Sequence, residues 1–262
     1  MIVQDIGKLE ERSIFIVREA KLKFKNIGLL WSMGKDSTAT LSIARKAFLG
    51  KVPFPVIHID NGIDFPEVYA LREKLADEWG LELVVGHTKI RRVAHGLPCC
   101  GETKTEALKE VLKEHGFDAL IVGIRRDEHW IRAKERYFSP RDEKFKWDYK
   151  NQPAELWDAY TSKLDTGGHI RVHPMLDWNE VDVWSYVQKE RLPVLPLYFS
   201  RNGYRYRSVG CTNCTVPLKS GAKNIPEIIR ELEGTETDER SGRSQDKEKE
   251  YVMQKLRALG YM

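Results

Sequence analysis

The sequence predicts an α/β fold built on a parallel sheet, followed by an irregular C-terminal extension. Three observations carry this expectation. Short apolar β-runs alternate with helix-period segments from about residue 27 to residue 123. The polar residues after the first, second and fourth runs all fall beyond the strands' carboxyl ends. The turn after the first run, Ser32-Met33-Gly34-Lys35-Asp36-Ser37-Thr38, is assembled from anion-binding groups. Such alternation implies right-handed crossovers and a sheet covered on both faces. Ligands of such sheets sit at the carboxyl rim.

Taken in order, residues 1–24 read as a helical segment, with Ile6, Leu9, Ile14, Ile16 and Val17 spaced among charges. A strand is expected at 27–31 and a helix at 36–48. The run at 55–60, ended by Asn61-Gly62, is the second strand, and 65–79 is an amphipathic helix. Residues 81–85 form the third strand, 103–115 a helix and 119–123 the fourth strand. From 137 to 168 the chain is polar and aromatic without a clear period. A strand follows at 170–174, then a helix opening near 178–184 with Asp177 as its expected cap. Residues 192–222 hold little regular structure, 226–232 is helical, and the charged stretch 233–250 reads as a mobile segment. The expected divisions are therefore an N-terminal helical segment (1–24), an α/β nucleotide-binding body (25–215) and a C-terminal helix with a charged tail (216–262).

A chain of 262 residues is long enough for a substantial core. Hydrophobic residues at 41% and charged residues at 31% describe an ordinary soluble protein, and a net charge of +4 does not by itself call for nucleic acid. No apolar run has the length of a membrane span, and the N-terminus lacks the apolar core of a signal peptide. A cytoplasmic address away from membranes is expected. The four cysteines form two close pairs, Cys99-Cys100 and Cys211-x-x-Cys214. In such a chain, metal or redox chemistry is expected before structural disulfides.

The turn at 32–38 places backbone N–H groups and a helix's positive end at one point, with Lys35 adding a full charge. Any strand-to-helix turn uses Ser, Gly or Asp as a cap, but a lysine and three hydroxyls exceed that need. The spacing is not that of a Walker A loop, since Asp36 follows Lys35. It resembles the PP-loop of ATP pyrophosphatases, which open ATP at the α-phosphate.

Over residues 20–262 the chain resembles the family that unites the small subunit of ATP sulfurylase with the APS and PAPS reductases. The resemblance rests on Ser-Met-Gly-Lys-Asp-Ser at 32–37, Pro-Phe-Pro-Val-Ile-His-Ile-Asp at 53–60 and Gly-Ile-Arg-Arg-Asp-Glu at 123–128. Arg-Ala-Lys-Glu-Arg at 132–136, Asn-Gln-Pro-Ala-Glu-Leu-Trp at 151–157 and Asp-Glu-Arg-Ser-Gly-Arg at 238–243 add to it. It implies an adenine nucleotide α-hydrolase-like domain, and most of the body is similar to the sulfate adenylyltransferase branch. The approach to Gly210-Cys211 is shorter than in that branch. The segments Cys-Cys and Ser-Val-Gly-Cys-Thr-Asn-Cys-Thr look instead like APS reductase, where the four cysteines bind a four-iron four-sulfur cluster. The reductases also need a further cysteine near the C-terminus, and this sequence has no fifth.

The resemblance implies roles for particular residues. Ser32, Met33, Gly34, Lys35, Asp36, Ser37 and Thr38, with Gly123, hold the phosphates of ATP. Asp36 acts either as a helix-start residue or as a Mg²⁺ contact. Asp60 binds ribose or the adenine amino group, or simply forms the turn before Asn61-Gly62. Arg125 and Arg126 offer guanidinium forks to phosphate or sulfate, with one of the two expected to pair with Asp127 or Glu128. Arg132, Lys134 and Arg136 suit an anionic co-substrate, and Arg240 and Arg243 approach the nucleotide from the tail. Cys99, Cys100, Cys211 and Cys214 are the metal ligands. Four thiolates suit zinc as well as a cluster, and the reductase resemblance favours the cluster. His58, His129 and His173 read as structural histidines.

The expected function is ATP cleavage at the α-phosphate with pyrophosphate release, sulfate or another oxyanion as acceptor, and a GTPase large subunit as partner. The alternative is a cluster-bearing ATP pyrophosphatase for sulfur insertion into tRNA or DNA, which would need a cysteine desulfurase. APS or PAPS reduction ranks third.

Overall fold

The computed structural model describes residues 4–88, 100–128, 132–148, 152–163, 168–235 and 239, with the backbone alone at 100–102. Six strands form the main sheet: β1 (Ile27–Leu30), β2 (Val56–Asp60), β3 (Leu83–His87), β4 (Ala119–Val122), β5 (Phe138–Arg141) and β6 (His169–Val172). Their order is β3-β2-β1-β4-β6-β5. The pairs β1–β2, β2–β3, β1–β4 and β4–β6 are parallel. The chain therefore winds outward from β1 through β2 to β3, then returns to the other side of β1 with β4. That reversal is the topological switch point at which ligands enter such sheets.

The expected strands and helices are present, with two differences. The stretch 137–168 supplies β5, which pairs antiparallel with β6 at the sheet edge. No alternating pattern announced it, because Phe138-Ser139-Pro140-Arg141 is short and interrupted by proline. Pro140 carries no amide hydrogen, and the Glu155 carboxylate accepts the amides of Tyr137 (3.0 Å) and Phe138 (2.7 Å). Within 192–222 a small hairpin pairs β7 (Tyr204–Arg205) with β8 (Leu218–Lys219).

The described residues form six α-helices: α1 (Ile6–Lys23), α2 (Lys35–Ala47), α3 (Pro66–Glu78), α4 (Cys100–His115), α5 (Glu180–Glu190) and α6 (Ile225–Glu233). Ile16, Val17 and Ala20 of α1 join Leu41, Ile43, Ile121, Val172, Val183 and Trp184 in one core. Ile57, Leu108, Val111, Leu112 and Leu120 form a second cluster under α4. Each fully buried aliphatic side chain of this kind contributes roughly 1.5–3 kcal/mol. Ile228 and Leu232 fasten α6 to the first core. The cap of α5 is Asn179 rather than the expected Asp177: Asn179 and Asp182 make a reciprocal capping box, both bonds at 2.9 Å. Asp177 is instead engaged by Arg126 and Tyr137. Among the described residues no helix is long and apolar enough to cross a membrane.

At the switch point β4 ends against the opening of α2. A Cβ at Gly123 would lie 2.5 Å from Thr40 Oγ1 and 2.9 Å from the Asp36 carbonyl oxygen. Gly123→Ala should therefore cost about 1–3 kcal/mol of stability and displace the start of α2. A thermal melt and a nucleotide titration check this, and an unchanged melting temperature contradicts the packing argument.

Candidate active site

The turn between β1 and α2 shapes the site. Met33 adopts a left-handed backbone (φ 56°), which turns the chain sharply before the helix. Gly34 is the N-cap and makes no side-chain capping bond, so α2 opens with amides that its own turns do not satisfy. The Lys35 amide donates to the Tyr198 hydroxyl at 3.0 Å. Ser37 Oγ accepts from the Ser32 amide at 3.2 Å and lies 3.1 Å from Ser32 Oγ. The Trp31 indole donates to Thr38 Oγ1 at 3.1 Å, pinning the loop to the helix.

Beside this turn is a cleft of about 360 Å³. Ser32, Gly34, Lys35, Asp36, Ser37 and Gly123 line one side, all of them expected from the sequence. Leu30, Ile57, Ile59, Leu108, Val122 and Ile124 add apolar wall. A pocket with apolar walls and a few converging polar groups suits a flat base joined to a charged tail.

Two buried cations dominate the electrostatics. Lys35 is 1% exposed and Arg125 is fully buried. Glu239 takes a hydrogen bond from each, from Lys35 Nζ on one oxygen and from Arg125 Nη2 on the other. Asp36 pairs with Arg125 and lies 3.3 Å from Lys35 Nζ. Asp127 accepts from Arg125 Nε at 2.9 Å and from the Glu180 amide at 2.8 Å. Glu180 lies 3.7 Å from Lys35 and accepts from Arg207 Nε at 2.9 Å. Three cations thus face four carboxylates. Burial opposes the charge on Lys35, yet Glu239 and Glu180 outweigh it and raise its pKa. Burial likewise opposes the Glu239 carboxylate, but Lys35 and Arg125 hold it well below the usual range. Burial, then the neighbouring Glu239 charge, pushes Glu180 up.

The remaining sequence candidates separate. Arg132 lines the cleft and pairs with Glu128, whereas Arg125 lies behind the lining, reached through Glu239. Arg126, Lys134 and Arg136 do not line the cleft. Arg126 is taken by Asp177, and Lys134 and Arg136 are exposed. Asp60 forms the turn, its Oδ1 accepting from the Gly62 amide (2.7 Å) and the Tyr69 hydroxyl (3.0 Å). Arg240, Arg243, His129 and Cys99 lie outside the described residues, and Cys100 is described only as the first residue of α4. Cys211 and Cys214 are buried and not disulfide-bonded to each other, with sulfurs 3.0 Å apart, next to Gly210 of the cleft.

Sequence reasoning missed Glu180, Glu239, Tyr198, Arg207 and Lys104. Lys104 lines the cleft from the first turns of α4. Glu239 lies in the stretch expected to be mobile. Its neighbour Arg240 belongs to the quoted Asp-Glu-Arg-Ser-Gly-Arg motif, which was the available signal. His58, Asp60 and Asp64 also bring ligand atoms within 4.8 Å of one another. Their carboxylates already face Arg72 (3.7 Å) and Lys104 (3.3 Å), which balance their charge.

Fold and site together define a nucleotide-binding α/β protein of the PP-loop type. The family described as "Phosphoadenosine phosphosulfate reductase domain" matches residues 26–217, and the chain belongs to it. Sulfate adenylyltransferase subunit 2 of Pseudomonas paraeruginosa is 39% identical over 298 aligned positions, covering 98% of this chain and 97% of that protein. The Azotobacter vinelandii protein of the same name is 40% identical with the same coverage. Because these alignments exceed the 262 residues of this chain, the relatives carry residues that it lacks. Among solved structures, the phosphoadenylyl-sulfate reductase of Candida auris superimposes with a TM-score of 0.56 at 20% identity, covering 82% of this chain and 98% of that one. The FMN adenylyltransferase of Candida glabrata in complex with ATP gives 0.58 at 19% identity, covering 81% and 63%.

His58 is 2% exposed, its Nδ1 lies 3.2 Å from the Trp31 carbonyl oxygen, and its Nε2 has no hydrogen-bond partner among the described residues. Burial, with Lys104 adding repulsion, lowers its pKa to about 4. The unfolded chain binds this proton more readily, so His58 favours folding above its ordinary pKa. That contribution is lost as pH falls from about 6.5 towards 4 and is flat below. In a His58→Gln variant the loss of stability over this window should shrink by an amount on the order of 1–3 kcal/mol. Urea denaturation at several pH values reads it; parallel pH profiles for variant and parent exclude the assignment.

Proposed function

We propose that the chain catalyses adenylyl transfer from ATP to sulfate. A sulfate oxygen attacks the α-phosphorus, the bond to the β-phosphate oxygen breaks, and adenylyl sulfate and pyrophosphate leave. The observation that carries this reading is the burial of Lys35 and Arg125 together at the start of α2, at the switch point of the sheet. Its placement among full-length relatives named sulfate adenylyltransferase subunit 2 supports the same chemistry.

Each residue has a physical task on this reading. The α2 amides, Ser32 and Ser37 receive the β- and γ-phosphates. Lys35 and Arg125 stabilise the charge that builds on pyrophosphate as it departs. The apolar wall takes the base. Lys104 and Arg132, which line the same cleft, face the incoming sulfate. Mg²⁺ accompanies the nucleotide and offsets phosphate charge; Asp36, which lines the cleft, is the carboxylate that would hold it. A GTPase large subunit is the proposed partner, in keeping with relatives designated as one subunit of an enzyme.

The cysteines are proposed as ligands of a four-iron four-sulfur cluster. Cys211 and Cys214 fit in donor chemistry, being two buried thiols that converge from one loop. Cys99 and Cys100 would complete the set. Anaerobic purification followed by iron and acid-labile sulfide assays should find both, and zinc with no sulfide would replace the cluster by a zinc site.

The nucleotide step has a direct test. Lys35→Ala should lower pyrophosphate release from ATP by about 100-fold or more, with a near-UV spectrum and melt showing that the fold persists. Sulfate should stimulate release by the parent protein. Undiminished release by the variant, or release indifferent to sulfate, sinks the assignment.

A further inference from the structure

The place reserved for phosphate already holds an anion of the protein's own. Glu239 is buried between Lys35 and Arg125, and each of its oxygens takes one cation's hydrogen bond. With it in place, three cations, Lys35, Arg125 and Arg207, face four carboxylates, Asp36, Asp127, Glu180 and Glu239; without it the two signs are equal in number. Arg125 is also hidden from the cleft, which Glu239 lines and Arg125 does not. An anion that enters can engage both cations only by taking the position of this carboxylate.

We propose that Glu239 is a specificity-determining residue: it occupies the phosphate position while nucleotide is absent, and yields only to an anion carrying more than one phosphate. The proposal rests on the reading of Lys35 and Arg125 as polyphosphate ligands. A tetrahedral oxyanion such as sulfate or orthophosphate would replace the two hydrogen bonds of Glu239 and gain little else. A di- or triphosphate replaces the same two bonds and also reaches Ser32, Ser37 and the first amides of α2. The difference matters because both substrates of the proposed reaction are oxyanions. Sulfate lodged between Lys35 and Arg125 would exclude ATP, and a resident carboxylate acts against that competitor.

Titration calorimetry with pyrophosphate, orthophosphate and sulfate tests this on the full chain. Glu239→Gln keeps the side chain's size and removes its charge. It should bind pyrophosphate at least about tenfold more tightly than the parent, the equivalent of about one charge-assisted hydrogen bond. It should also allow sulfate to compete with pyrophosphate, which the parent resists. Unchanged or weaker pyrophosphate binding by the variant overturns the proposal and makes Glu239 a residue that holds the two cations in position. Should the variant not fold, the parent alone decides: sulfate that displaces pyrophosphate from it at comparable concentration is equally fatal. Lys35→Ala separates the two readings. Loss of pyrophosphate binding upholds the phosphate site on which the proposal stands, whereas full retention removes that site and leaves Glu239 nothing to guard.

Discussion

Lys35 and Arg125 are withdrawn from solvent, and a buried charge is tolerated only where opposite charge and hydrogen bonds surround it. That requirement organises the site. The carboxylates that meet it come from the start of α2, the loop after β4, the first residue of α5 and position 239. Arg207 enters because Glu180 is itself buried. Segments far apart in sequence are thereby joined through one set of charges. Removing one member of such a set costs about 3–5 kcal/mol, while an exposed pair such as Lys74–Glu78 adds about 1 kcal/mol at most.

The order of the strands puts this charge where it is useful. The reversal at β1 and β4 leaves a crevice at their carboxyl ends, and the turn to α2 and the turn after β4 both open into it. Gly123 allows these two turns to touch, and the left-handed Met33 points the opening of α2 into the crevice. From β1, β2, β4 and α4 come the aliphatic side chains of the lining, Leu30, Ile57, Ile59, Val122 and Leu108, beside the polar His58, Lys104 and Thr105.

Much of this was legible in the sequence. The parallel sheet followed from β-runs alternating with helix-period segments, and one lysine and three hydroxyls at a strand-to-helix turn marked the turn that lines the cleft. The antiparallel β5 was not, because a four-residue strand containing proline leaves no alternation to read. Charges beside the motif were also misleading. Arg125 and Arg126 are adjacent and chemically alike, yet one enters the buried network and the other pairs with Asp177 outside the cleft. Their division depends on which side of the chain faces α2, and composition does not encode that. Glu239 was hidden for the opposite reason. A dense run of charge reads as solvated, and only the tertiary placement of Lys35 and Arg125 shows that one of those carboxylates is drawn inside.

The edge strand β5 has a consequence for behaviour in crowded solution. A sheet edge normally presents a row of amides to which a strand from another molecule can add. Here Pro140 has no hydrogen to donate, and Glu155 has already claimed the amides of Tyr137 and Phe138. This rim is therefore poor in free donors, which disfavours the addition of a strand along that side.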